Sequence, residues 1–392
     1  MMNISVATRQ GFETESLLKS CLAESQQSLP KDSYYLAWIF YTRGIEEKVL
    51  FTFLKEKIKA SHILALKTSK LIVSSGFIHP AISFVLFDAR PEEISLFAYP
   101  CKEEAEESRK VNKDILKYIK EIGHPSWVLN LIDPTLLKVA LPLRNLQNIL
   151  GTSVPFLGFS TIAEYQYREN PIFYNGRFLK DRILSILFGP QVDLKFSQST
   201  GYNPLGRFFH ITKSYGNIIQ EIDNIPASFV YRNLGINKNL FTKETIFPYA
   251  TLVYPLGILL DKDAFCLRHT IKILDDDSLF CNAEIQPSRP LKIMLSTRDD
   301  LMKDTVQKII SLKRAYDKKN KKPSLIMIFS SFARALTMGW QCKQEIEAIK
   351  KIFAEDIPLI GTLTLREINP VFFGKPRFRT VFQNNSMNFL ML

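Results

Sequence analysis

Two glutamates occupy matched places in this 392-residue chain. Glu164 closes the stretch 154–164 (VPFLGFSTIAE), and Glu367 closes 357–367 (IPLIGTLTLRE). At one constant offset, Pro155 matches Pro358, Gly158 matches Gly361, Thr161 matches Thr364 and Glu164 matches Glu367. Asn170-Pro-Ile-Phe173 is echoed by Asn369-Pro-Val-Phe372, so the pattern reads as an internal duplication. A duplicated, pseudo-symmetric chain can bring the two carboxylates to a shared cleft. There a carboxylate receives an ammonium group through charge-assisted hydrogen bonds, whereas one capping a turn or facing water does not.

A complementary charge stands beyond the apolar run 324–330 (SLIMIFS). Arg334 sits past its carboxyl end, where open α/β sheets place ligands, and a planar guanidinium grips a carboxylate bidentately. Ser330 and Ser331 offer hydroxyls at the same place. Arg268 is a charge inside the strand-like run 264–273, suited either to a ligand or to solvent. Asn384 can hold a ligand or a β-turn, and the turn suits it better. His210 and His269 lie in strand-like segments and are the two histidines that could in principle act as axial haem ligands. His79 and His124 precede prolines and read as loop residues. No GxSxG elbow, Walker loop, GxGxxG or HExxH occurs, so no enzymatic activity is expected.

The elements that must position these residues alternate. The runs 34–41, 62–66, 71–73, 82–87, 94–99 and 126–132 read as strands. Val111, Ile115, Ile119 and Ile122 form the apolar stripe of a helix. Residues 143–150 read as a helix feeding a strand at 154–159. The region 177–222 is strand-rich with glycine turns and reads as an antiparallel meander. A short helix at 226–234 precedes a joint at Gly235, giving domains 1–235 and 236–392. Strands resume at 251–260, 264–273 and 291–296. Thr297 and Asp300 have capping-box spacing before an amphipathic helix, and Cys342, Ile346, Ile349 and Phe353 mark another. The expected fold is α/β with α+β character: two related lobes with mixed, antiparallel-rich sheets flanked by helices.

Composition narrows the classes. A 46% hydrophobic, 23% charged chain can build a full core, which excludes wholesale disorder. The net charge is +12, yet only Lys313, Arg314, Lys318, Lys319, Lys321 and Lys322 cluster, and no nucleic-acid motif accompanies them. That run reads as a solvated helix end. Five scattered cysteines argue for reduced thiols rather than a disulfide framework or zinc site. No apolar run reaches the ~20 residues of a membrane span, and residues 1–16 lack the apolar core of a secretory signal. A cytoplasmic protein is expected.

Residues 206–231 (GRFFHITKSYGNIIQEIDNIPASFVY) carry a glycine, Ile211–Thr212, Gly216–Asn217, Ile222-Asp223-Asn224, Pro226–Ala227 and Tyr231. Pro358-Leu-Ile-Gly361, Arg366-Glu-Ile368, Phe329-Ser-Ser-Phe-Ala-Arg334 and Phe382-Gln-Asn-Asn-Ser386 follow. In this order and spacing the chain, from about Tyr34 onward, resembles the FIST family of sensory proteins, built from an N-terminal and a C-terminal FIST domain. Ser331 stands where the family usually has Cys, and Arg366 and Asn224 stand at glycine positions. The resemblance implies a stand-alone sensor that binds a small polar molecule such as an amino acid and signals through a protein partner. Some members bind haem and sense nitric oxide. On this reading Arg334 anchors a carboxylate and Glu367 an ammonium between the halves, with Ser330, Ser331, Glu164, Arg268 and Asn384 as further contacts.

Overall fold

The computed structural model describes residues 2–101, 105–134, 136, 139–162, 172–232, 242, 246, 250–261, 264–285, 287–353, 357–372 and 378–392. Glu164 lies outside the described residues.

Three sheets organise the described chain. The first runs in the order Asn3–Gln10, Ala81–Asp88, Tyr34–Thr42, Ala60–Thr68, Ile172–Tyr174 and Arg177–Leu179. Helices Thr14–Ser28 and Glu47–Lys57 cover its outer face through a core that includes Leu18, Leu50 and Phe84. Its inner face packs on the central sheet through Trp38, Phe40, Phe159 and Phe329. The far face of the central sheet is covered by helices Ala105–Ile122, Ala140–Leu150, Arg298–Asp317 and Cys342–Phe353. Sheets apolar on both faces need such a layered sandwich, which is why runs such as 34–41 read as continuous apolar segments.

The central sheet shows the duplication in its strand order. Its main path is Lys195–Ser199, Met387–Met391, Ile326–Ser331, Leu359–Phe372, Phe156–Thr161, Trp127–Ile132, Arg182–Phe188 and Ile94–Pro100. Read from either end, the directions are the same. Ile326–Ser331 is parallel to Leu359–Phe372, as Trp127–Ile132 is to Phe156–Thr161, and both outer pairs on each side are antiparallel. At the centre Leu359–Phe372 and Phe156–Thr161 pair antiparallel with Thr364 opposite Thr161, the two residues the repeat equates.

The repeated Pro-x-x-Gly now has a physical role. Val128 N–H donates to Pro155 O at 3.1 Å and Ile326 N–H to Pro358 O at 2.9 Å, the same bond in each copy. A Cβ on Gly158 would lie 2.7 Å from Asn130 O, and one on Gly361 would lie 2.2 Å from Ile328 O. Each glycine therefore permits a close approach of backbones that a side chain would block.

Several expectations change in detail. The related halves are present, but as halves of one sheet, and where a cleft between them was expected the backbone is hydrogen-bonded across the centre. The expected meander 177–222 is antiparallel throughout yet divides among three sheets. Residues 251–253 are helical, so the strand expected at 251–260 begins at Leu256. The third sheet is wholly antiparallel among Ala264–Arg268, Leu256–Asp261, Pro290–Leu295, Asn203–Tyr215, Ile218–Ile222, Leu279–Cys281 and Thr270–Ile273. Its strands come from both sides of the boundary drawn at 235. The capping box at Thr297 and Asp300 forms as its spacing predicts, and all five cysteines are free thiols. Among the described residues no helix is long and apolar enough to cross a membrane.

Candidate functional site

Glu367 lies on the inner face of the central sheet with no solvent exposure. A register shift between Thr364 and Arg366 puts Thr364 and Glu367 on one face although they are three residues apart. Thr364 Oγ1–H donates to Glu367 Oε1 at 2.7 Å, and Ser386 Oγ–H reaches Oε2 at 3.4 Å. Ser331 supplies a third hydroxyl, at the carboxyl end of the neighbouring parallel strand. Burial pushes the Glu367 carboxyl up to about 8, against the downward pull of hydrogen bonds from Thr364, Ser331 and Ser386. No described lysine, arginine or histidine pairs with it. At neutral pH the group is mostly a neutral acid among hydroxyls.

Two asparagines extend this cluster. Asn369 and Asn388 direct their Nδ2 groups to Ser386 Oγ at 3.4 and 3.3 Å. The Asn388 Oδ1 is buried without a partner. Both residues line a cavity of about 10 Å³, room for one water, walled by Phe159, Phe196, Phe329 and Phe389. A separate cavity of about 210 Å³, lined by Ser74, Ile349, Lys350, Phe353 and Pro358 among others, lies at the opposite, amino ends of these strands and shares no residue with the cluster.

The other expected contacts are placed elsewhere. Arg334 is not a ligand anchor at Glu367. The helix Phe332–Met338 begins directly after the strand and turns Arg334 beneath helix Arg298–Asp317. There its Nη2 donates to Glu345 Oε1 at 2.7 Å, Thr305 Oγ1 at 2.9 Å and Leu301 O at 3.0 Å, and its Nη1 donates to Thr200 O at 3.2 Å. With both partners buried, this is an internal ion pair that ties three helices to the end of a strand. Ser330 is buried on the strand face opposite Ser331, so only one of the two serines joins the cluster.

Arg268 and Asn384 come together, but on protein acceptors. Arg268 Nη1 donates to Leu267 O and Phe382 O and its Nε to Glu284 O, while Asn384 Nδ2 also reaches Leu267 O at 2.8 Å. Arg268 is thus buried, not turned to solvent as alternation along the strand allowed. Asn385, in the left-handed region at φ 55°, places Oδ1 2.8 Å from His269 Nε2 and donates from Nδ2 to the Tyr202 hydroxyl. Residues 383–386 therefore clamp the third sheet to the central one, and Ser386 ends that clamp on Glu367.

Neither histidine fits haem. His269 is buried with Nδ1 on Thr251 O and Nε2 on Asn385, and burial lowers its pKa. His210 stands exposed on its strand with Asp223 beside its ring. Among the described residues no group of three or more His, Cys, Asp or Glu could hold a metal.

Thr364, Ser386, Asn369 and Asn388 belong to the cluster, and the sequence reading did not name them as contacts. Three carried a signal: Thr364 is a repeat identity, Asn369 opens the second echo, and Ser386 ends the quoted 382–386 motif. Asn388 carried none.

Residues 36–225 match the family model described as FIST N domain, and residues 227–370 match the FIST C domain. Such domains are associated with signal transduction and small-ligand sensing. An uncharacterized protein of Methanocaldococcus jannaschii is 21% identical over 336 residues, covering 80% of this chain. The match spans only 64% of that relative's length. Two solved structures, "T. maritima PurL complexed with ATP" and phosphoribosylformylglycinamidine synthase II from Thermotoga maritima, align at 9% and 8% identity. They cover all of this chain and 71% and 72% of theirs, with TM-scores of 0.19 and 0.20, an overlap too slight to carry a fold argument.

Proposed function

The chain belongs to the FIST family, and from that premise we propose that it is a sensor whose ligand is a small amine, amino acids included, recognised by Glu367. The observation that carries this reading is a fully buried carboxyl whose described partners are hydroxyls alone. Among hydroxyls alone Glu367 keeps its proton, and a ligand's ammonium would supply the cation with which a buried carboxylate is ordinarily paired. The hydroxyls of Thr364, Ser331 and Ser386 favour the ionised form once an ammonium arrives. Because Arg334 is committed to Glu345, the reading rests on the amine end of an amino acid and not on its carboxylate.

The protein works by binding and not by turnover. Ligand at Glu367 bears on Ser386, and through residues 383–386 on the third sheet, so occupancy shifts the population of that junction for a protein partner to read. A thermal-shift panel of the amino acids and simple alkylamines tests the reading, because a ligand bound only to the native state raises the midpoint. A shift in the native protein that Glu367→Gln abolishes is the expected result. No shift from any member, or an equal shift in the variant, would remove Glu367 as the receptor.

A further inference from the structure

The cluster at Glu367 makes no use of the cations that follow helix Arg298–Asp317. Three lysines converge on Asp193: Lys195 from the adjoining strand, Lys319 at 2.9 Å and Lys321 at 3.7 Å. Three lysines thus meet one carboxylate at Asp193, while Lys313 pairs with Asp317 on the helix itself. A helix macrodipole accounts for cations in the last turn. It does not account for Lys195, which belongs to another element, or for Lys319 and Lys321, which lie beyond the helix.

The patch abuts an open sheet edge. Lys195–Ser199 pairs along one side only, with Met387–Met391. Leu392 N–H donates to Leu325 O, so the even-numbered residues of that partner strand direct their backbone groups toward Ile326–Ser331. The odd-numbered ones then serve Lys195, Ser197 and Ser199, which the register sets opposite Met391, Phe389 and Met387. The N–H and C=O groups of Phe196 and Gln198 are left directed away from the sheet, and no described backbone group closes on them. Gln198 Nε2 is also buried without a partner.

We propose that this edge docks an extended acidic segment of a partner protein, which adds as a strand beside Lys195–Ser199 while its carboxylates meet Lys319, Lys321 and their neighbours. Unpaired strand edges are templates for β-augmentation, and the excess positive charge selects an acidic strand. A single-stranded nucleic acid fits less well. The cations gather at one end of the strand rather than along a groove, and the Phe196 ring is packed on Trp127 instead of offering a stacking face.

Fluorescence anisotropy of a labelled peptide of alternating Glu and Val, titrated with the full chain, tests this. The peptide binds, and added salt weakens it. The pair Lys319→Glu with Lys321→Glu lowers affinity about tenfold or more, each tenfold being one decade in Kd. Gln198→Pro removes one outward N–H, which an edge strand tolerates, and lowers affinity to a similar degree. The pair Lys48→Glu with Lys55→Glu, on the exposed face of helix Glu47–Lys57, makes the same charge change and leaves binding intact. Circular dichroism and melting temperature confirm that each variant is folded. The proposal is overturned if the peptide does not bind, if Gln198→Pro binds as tightly as the unmodified chain, or if an oligothymidylate of equal charge binds as well and is lost with the same lysines.

Discussion

The two copies of the repeat use the same central strands and diverge in what they hang on them. In the first copy the edge strand Ile94–Pro100 leads directly to helix Ala105–Ile122. In the second, the edge strand Lys195–Ser199 and the matching helix Arg298–Asp317 are separated by the whole third sheet. The hairpins diverge too. Ile172–Tyr174 with Arg177–Leu179 joins the first sheet, whereas Leu359–Phe372 with Phe378–Gln383 sends Val371 and Val381 into the third-sheet core. An insertion of that size has to be fastened, and the second copy carries the polar fastenings. Counted from the matched Val128 and Ile326, Arg334 corresponds to Leu136 and Ser331 to Asp133. The first copy thus packs a leucine where the second buries an ion pair. A duplicated scaffold preserves its backbone contacts at the centre and is free to vary where those contacts end.

The largest effect tests that contrast. Arg334→Leu strands Glu345 as an unpaired buried group and should cost about 3–5 kcal/mol in denaturant unfolding. Changing Glu345→Leu as well should recover most of the loss, because the first copy shows that an apolar side chain serves at this place. A single change costing less than about 1 kcal/mol, the scale of an exposed pair, would mean that the ion pair does not fasten the insertion.

Acidity probes the cluster at Glu367. Its folded-state carboxyl, at about 8, lies above its unfolded value, so between roughly pH 4.5 and 8 the folded chain holds the extra proton. Stability should therefore fall as pH rises through that window, by on the order of a few kcal/mol, and level off above it. Glu367→Gln should flatten this dependence in a series of urea titrations. An unchanged slope in the variant would assign the dependence to other groups.

The smallest effect separates the two glycines. Gly361→Ala drives a Cβ closer to the opposing carbonyl than Gly158→Ala does. Both should lose about 1–3 kcal/mol, with Gly361→Ala the worse. Equal midpoints in chemical denaturation would show that the strands relax alike and that the copies are closer in geometry than the two distances imply.

Much of this was legible in the chain. Apolar runs such as 34–41 and 324–330, the stripe from Val111 to Ile122 and the Thr297–Asp300 cap depend on local periodicity and spacing, and elements formed where those features pointed, the second run as Ile326–Ser331. The repeat located Glu367 and the strand pair at the centre. Arg334 and Arg268 misled because a charge beside a strand end looks the same in sequence whether its partner is a ligand or a protein group such as Glu345, 11 residues from Arg334 on another helix. Asn384 stands in the turn its residue type favoured, between Phe378–Gln383 and Met387–Met391, but its side chain is spent on Leu267 O in the clamp at 383–386 rather than on a ligand. Nothing near Asn388 marked it, since its role depends on strands brought together from distant parts of the chain.

The amino-acid order by itself determined the element types, the duplication and the place of Glu367, because these follow from side-chain period and repeated spacing along one chain. Only the tertiary structure decided which charges are spent internally and which carboxyl lies buried among hydroxyls alone. Burial and partnering are properties of the packed layers, and a buried group's charge is set by the neighbours that folding supplies.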